Sequence, residues 1–136
     1  MFDNLFDNPA LNNAAKLAAR ILLAAIFIQA GFGKITGYAG ATAYMASAGV
    51  PGILLPLVII VELIGGIMIL VGYQARLAAL LLAGFTLLAA FLFHLQPGNA
   101  AQMGQFMKNL AIAGGFLQLF ATGPGLWSLD ARNRGR

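Results

Sequence analysis

An all-α fold, an integral-membrane antiparallel four-helix bundle, is the architecture this sequence predicts. Three observations predict it. Of 136 residues, 60% are hydrophobic and 9% charged, whereas soluble domains carry about 25% charged residues. The apolar residues gather into four stretches, each near the length that a helix needs to cross a hydrocarbon layer. Their connections leave no room for a second domain, so residues 1–136 read as one transmembrane domain.

The first span runs from Leu17 to Lys34, and Lys16 and Arg20 at its start are expected to snorkel toward headgroups. Its Ile21 to Phe32 core followed by Ala39-Gly40-Ala41 imitates a cleavable signal peptide. Further spans follow it, so it reads as a retained helix. The second span, Ile53 to Gly72, carries a single charge, Glu62. The third, Leu77 to Leu95, contains His94 near its end, and the fourth, Phe106 to Ala121, is weaker, with Lys108 and Asn109 in its first turn. Pro124 between two glycines closes it.

The connections separate into two kinds. Tyr73 to Arg76 is so short that spans two and three form a hairpin, while Ile35 to Pro51 is long enough to hold a short interfacial helix. Gln96 to Gln105 reads as a loop marked by Pro97-Gly98-Asn99. An even number of spans puts both termini on one side. Lys16, Arg20, Arg76, Arg132, Arg134 and Arg136 fall there, against Lys34 and Lys108 on the other side. The positive-inside rule therefore makes both termini cytoplasmic.

Composition also removes whole classes of function. The formal net charge is +4, but the eight basic residues are scattered rather than gathered into a nucleic-acid stripe. With no cysteine there is no disulfide, thiolate metal site or CxxC relay. A zinc or calcium cage lacks ligands, and the glycine pairs inside apolar spans serve packing rather than phosphate binding. No metal site is expected, and redox chemistry would need a bound cofactor or a partner.

What remains is a set of four ionisable residues. Glu62 falls near the bilayer midplane, where a carboxylate costs on the order of 3 kcal/mol. It must be neutral, paired or hydrated. Helical periodicity puts it on a face with Gly65, Gly66, Ile69 and Tyr73, where small residues admit a neighbouring helix. The same wheel groups Lys34 with Gly31, Ala30 and Phe27; His94 with Ala90, Leu87 and Ala83; and Lys108 with Ala111, Gly115 and Gln118. Lys34, His94 and Lys108 lie toward the outer helix ends and Glu62 about 14 Å deeper, which describes a polar funnel. Glu62 and His94 are thus candidate catalytic, proton-exchanging groups, and Lys34 and Lys108 candidate substrate-binding cations. The competing readings are a packing hydrogen bond for Glu62, an interfacial position for His94 and snorkelling for the lysines. If the site exists, Glu62 is coupled to at least one of the other three.

The order and spacing of Arg20, Phe27 through Gly31 and Lys34, Gly49-Val50-Pro51, Glu62 with Gly65-Gly66, Arg76, His94, Lys108-Asn109 and Gly123-Pro124-Gly125 with Ser128-Leu129-Asp130 resembles the DoxX family of small bacterial inner-membrane proteins. The resemblance covers nearly the whole chain. It implies a multi-pass protein of the cytoplasmic (inner) membrane, in a family named for subunits associated with quinone-linked oxidoreductases. The functional expectation is a membrane subunit that handles a quinone or a small anionic redox substrate with an oxidoreductase partner, or as a homo-oligomer in the lipid bilayer. Quinone is the cofactor class this implies, no covalent or metal motif in the chain specifies one, and any catalysis requires a partner. Two alternatives stand beside it: a small proton-coupled carrier or channel, and a non-catalytic assembly subunit of a membrane complex.

Overall fold

A computed structural model describes residues 2–134. The order of elements is α1 (Phe2–Phe6), α2 (Pro9–Thr36), α3 (Tyr38–Ser47), a 3-10 turn (Gly52–Leu54) running into α4 (Leu55–Val71), α5 (Ala75–Ala89) continued by a π-helical turn (Ala90–His94), α6 (Ala100–Thr122) and α7 (Leu129–Arg134). There is no strand among the described residues. The expected Arg136 of the basic flank lies outside them.

Three helices are long and apolar enough to cross a membrane: Pro9–Thr36, Gly52–Val71 and Ala75–His94. They cover the first three expected spans. α6 occupies the place of the fourth, but Lys108, Asn109 and Gln118 interrupt its apolar run, so it does not join them on hydropathy. Helix ends lie beyond the expected boundaries where polar residues cap them. Asn8 Oδ1 accepts from Ala10 N–H at 2.9 Å, and Pro9 supplies a preset first turn, so α2 starts eight residues before Leu17. Asn99 Oδ1 accepts from Gln102 N–H at 3.2 Å, so the part of the expected loop from Ala100 to Gln105 is the start of α6.

The helices pack through small residues. α2 lies along α4, α5 lies along α6, and α4 and α5 meet through the turn at Gly72–Gln74. Ala24, Phe27, Ile69, Ala79, Leu82, Ala83 and Phe116 form the buried core, with Phe27 edge-on to Phe116 at 5.3 Å. Outward-facing Leu22, Ile53, Ile60, Leu77 and Leu81 are exposed. An apolar exterior around an alanine- and glycine-rich interior is what lipid, rather than water, selects.

Arg20 corrects the snorkelling expectation. Its side chain is 1% exposed, and its guanidinium donates to Pro124 O, Trp127 O and Leu70 O at 2.9 to 3.3 Å. These carbonyls come from the segment after α6 and from the last turn of α4, where helices end with unsatisfied acceptors. Arg20 therefore ties three parts of the chain together. Neighbouring polar residues complete this clamp. Asp130 accepts from Gln74 N–H at 2.7 Å and Ala75 N–H at 2.8 Å, capping α5 and holding Gln74 at φ 46. Asn13 Oδ1 accepts from Leu126 N–H at 2.8 Å.

Two expected faces also change. Tyr73 is exposed rather than buried with Glu62, because Gly72 at φ +72 ends α4 and turns the chain away. α6 buries Phe106, Ala113, Phe116 and Leu119, so the stripe Lys108, Ala111, Gly115 and Gln118 is not its packed face. The bulk of Phe106 and Phe116 outweighs the small-residue stripe in deciding its rotation.

Candidate functional site

The end of the molecule opposite the Arg20 clamp opens into a cavity of about 480 Å3 between α2, α3, α4, α5 and α6. That volume is in the range of small-molecule sites. Its walls are mainly apolar, including Phe27, Tyr44, Met45, Val58, Phe85 and Phe93. Tyr44 of α3 stacks on Phe93 at 5.4 Å, which brings the helix that follows α2 over the cavity.

Lys34 Nζ meets Glu62 Oε1 at 2.8 Å on this wall. The Glu62 side chain is 4% exposed and that of Lys34 32%, so the pair joins a buried acid to a half-open cation. Backbone approach makes this geometry available. A Cβ on Gly31 would lie 2.6 Å from Leu63 Cγ and 3.3 Å from Glu62 Cβ, and one on Gly66 would lie 3.0 Å from Ile28 Cγ1. With glycine at both places α2 and α4 close together, and Lys34, less than one turn beyond Gly31, reaches the carboxylate without intervening water. Among the described residues Lys34 is the ion-pair partner of Glu62.

His94 also lines the cavity, at the end of the π-helical turn. Its Nδ1 lies 2.7 Å from Gln102 Oε1. An amide oxygen only accepts, so in this contact the ring donates from Nδ1. π-Turns commonly mark functional sites, since the extra residue redirects a side chain. Lys108 lies at the rim, exposed, beside Asn109, which is half-buried and donates from Nδ2 to Thr86 O at 3.5 Å.

All four sequence-predicted residues, Lys34, Glu62, His94 and Lys108, thus border one cavity. Only Lys34 and Glu62 touch. Sequence reasoning missed Thr86, whose buried Oγ1 has no hydrogen-bond partner among the described residues and which lines the same cavity. A lone Thr in a span carries no signal of its own, because it commonly bonds to its own helix. Gln102, Tyr44 and Phe93 were missed too. The first fell in the supposed loop, and the aromatics are indistinguishable from lipid-facing residues until α3 is folded over them.

The DoxX family profile matches residues 15–95, which hold α2 through α5 with Lys34, Glu62 and His94. The chain belongs to the DoxX family. This DoxX protein is 55% identical to the inner membrane protein YqjF of Escherichia coli strain K12 over 120 residues, 88% of this chain and 92% of the relative. It is 40% identical to the inner membrane protein YphA of the same organism over 134 residues, 93% of this chain and 96% of the relative. No solved structure matches the chain. Both matches are longer than the family profile, and their lengths place Lys108 and most of α6 within them.

Proposed function

We propose that this DoxX protein is a four-span antiparallel bundle of the inner membrane, and that it binds a quinone, or a similar flat apolar molecule bearing a carbonyl, as the membrane subunit of an oxidoreductase system. The observation that carries the reading is a salt-bridged Lys34–Glu62 pair set in the wall of an otherwise apolar, aromatic-lined cavity. Lys34 is already neutralised by Glu62. That disfavours a small free anion and favours a neutral ring whose carbonyl accepts from the Lys34 ammonium while aromatic rings pack on its faces. The unpaired Thr86 hydroxyl and the Asn109 amide offer further polar contacts. Leaving a buried hydroxyl without a partner costs roughly 1–3 kcal/mol, a cost that a ligand oxygen would remove. Glu62 and His94 would supply and take up protons as the quinone is reduced or reoxidised, electrons coming from a partner.

In this reading α6 is the fourth span, with its polar residues Asn109 and Lys108 turned to the cavity and its rim. Lys16, Arg76, Arg132 and Arg134 are at the clamp end, against Lys34 and Lys108 at the cavity end, which makes the clamp end cytoplasmic even without buried Arg20. Reporter fusions after Arg136 and in the Tyr73 to Arg76 turn should then report cytoplasm, and fusions near Tyr44 or Asn99 export.

Purification from native membranes in mild detergent, followed by solvent extraction, tests the ligand. Quinone in stoichiometric amount, lost from Lys34→Met and Glu62→Gln variants that still fold, is the expected result. Solute flux in liposomes without bound quinone would replace this reading by a proton-coupled carrier. A stable multi-protein complex with no ligand would replace it by an assembly subunit.

A further inference from the structure

A second recess, of about 280 Å3, lies at the clamp end, remote from the Lys34–Glu62 cavity. Lys16 of α2, Arg76 of α5 and Arg134 of α7 border it, with Asn13, Gly123 and Asp130. Three cations from three separate helices converge on a space that holds one carboxylate. That carboxylate is already engaged: both Asp130 oxygens accept backbone N–H groups of the α4–α5 turn. The Asn13 carbonyl oxygen is engaged as well, by Leu126 N–H. Lys16, Arg76 and Arg134 form no ion pair among the described residues. The recess therefore sets three cations against one carboxylate, and its Asp130 and Asn13 oxygens are each held by a backbone N–H. Gly123 at φ +82 lets the chain pass close to Arg76, where a Cβ would lie 3.0 Å from its Nη2, so the loop after α6 supports that guanidinium rather than covering it.

The surroundings indicate where an anion would come from. Leu126 and Trp127, which follow the recess-lining Gly125, are 70% and 50% exposed, and an exposed tryptophan at a helix end suits a membrane–water interface. Beyond the recess, α2 and α5 carry exposed apolar residues, among them Leu22, Leu80 and Leu81, so acyl chains have apolar helix surface on which to lie. We propose that this recess binds the phosphodiester headgroup of an anionic phospholipid, held by Lys16, Arg76 and Arg134. Basic pockets at helix ends are suited to such headgroups, and inorganic phosphate shares the chemistry without the acyl chains.

The test uses the full chain, delipidated in a neutral detergent and titrated separately with dioleoyl phosphatidylglycerol, dioleoyl phosphatidylcholine and inorganic phosphate. Native mass spectrometry counts bound lipid, and Trp127 fluorescence reports occupancy. Phosphatidylglycerol should be retained in preference to phosphatidylcholine, and phosphate alone should leave the fluorescence unchanged. Arg76→Gln and Arg134→Gln should each weaken binding about fivefold, and Arg76→Lys should keep most of it. Arg132→Gln, on α7 but outside the recess, should have no effect. Equal retention of phosphatidylcholine overturns the proposal, as does undiminished binding by the Arg76→Gln/Arg134→Gln double variant or an equal loss from Arg132→Gln. Phosphate binding as tight as phosphatidylglycerol would overturn the lipid assignment. Both arginine side chains are exposed, and lipid-free thermal unfolding of each variant verifies that it folds.

Discussion

At the clamp end the Arg20 guanidinium reaches three backbone carbonyls and is 1% exposed, while at the cavity end the Lys34 ammonium reaches one carboxylate and is 32% exposed. Both are cations in one helix, four turns apart. Arg20 sits where α2 meets the ends of α4 and α6, so there are unpaired carbonyls to satisfy, and its guanidinium does not line the neighbouring recess. Lys34 sits where α3 and the π-turn border an open cavity, and the polar groups there are left partly unused. A guanidinium with five donors suits the first setting, and a compact ammonium that can shift between partners suits the second. The difference separates a residue that fastens the bundle from one that can serve a ligand.

Five substitutions bear on that contrast, in decreasing order of expected effect. Arg20→Met removes every hydrogen bond that the guanidinium makes and strands the carbonyls of Leu70, Pro124 and Trp127. It should cost roughly 3–5 kcal/mol in detergent unfolding, and an unchanged midpoint would break the comparison. Gly72→Ala should come next, at about 2–3 kcal/mol, because alanine is strained at φ +72 and its methyl would collide with Ser128 Cβ. Circular dichroism melts would show it.

At the cavity end the expected losses are smaller in stability and larger in binding. Gly31→Ala would press its methyl on Leu63, costing about 1–2 kcal/mol and spreading α2 from α4. Lys34 should then lose Glu62, which a double-mutant cycle of Lys34→Met with Glu62→Gln in the Gly31→Ala background would register as near-additivity. Glu62→Gln alone keeps shape and a hydrogen-bond acceptor for a Lys34 that is half open, so stability should change by about 1 kcal/mol. Captured quinone should fall sharply, and retention at the parent level would reduce Glu62 to a packing residue. Gly84→Ala should have the smallest effect. A Cβ there meets nothing within 4 Å, and alanine's better helix propensity gives at most about 1 kcal/mol of added stability.

The glycines illustrate how far sequence reading reaches. Gly65 and Gly115 looked equivalent as packing residues in apolar spans, yet a Cβ at Gly65 would lie 3.1 Å from Leu82 Cδ2 and one at Gly115 an ordinary 3.4 Å from Leu23 Cδ2. Within the apolar spans the tighter approaches are at Gly31 and Gly66, where α2 crosses α4. Composition marks a glycine as small. Only the crossing point decides whether its smallness is used.

Membrane residence, the three strongly apolar helices and the candidates Lys34, Glu62, His94 and Lys108 were all legible in the chain itself. The reason is that lipid acts on single residues and short runs: an apolar stretch of span length declares a helix, and an ionisable group inside it stands out by its desolvation cost. Pairing was not legible. That Lys34 reaches Glu62 depends on the helix crossing at Gly31, and that Arg20 is a buried clamp depends on carbonyls 104 and 107 residues away in sequence. The rotation of α6 was likewise a matter of which side chains, Phe106 and Phe116 or the small stripe, fill the space left by the other helices. Such choices turn on distances of an ångström and rotations of a single residue's 100°, which are fixed only when the helices pack together.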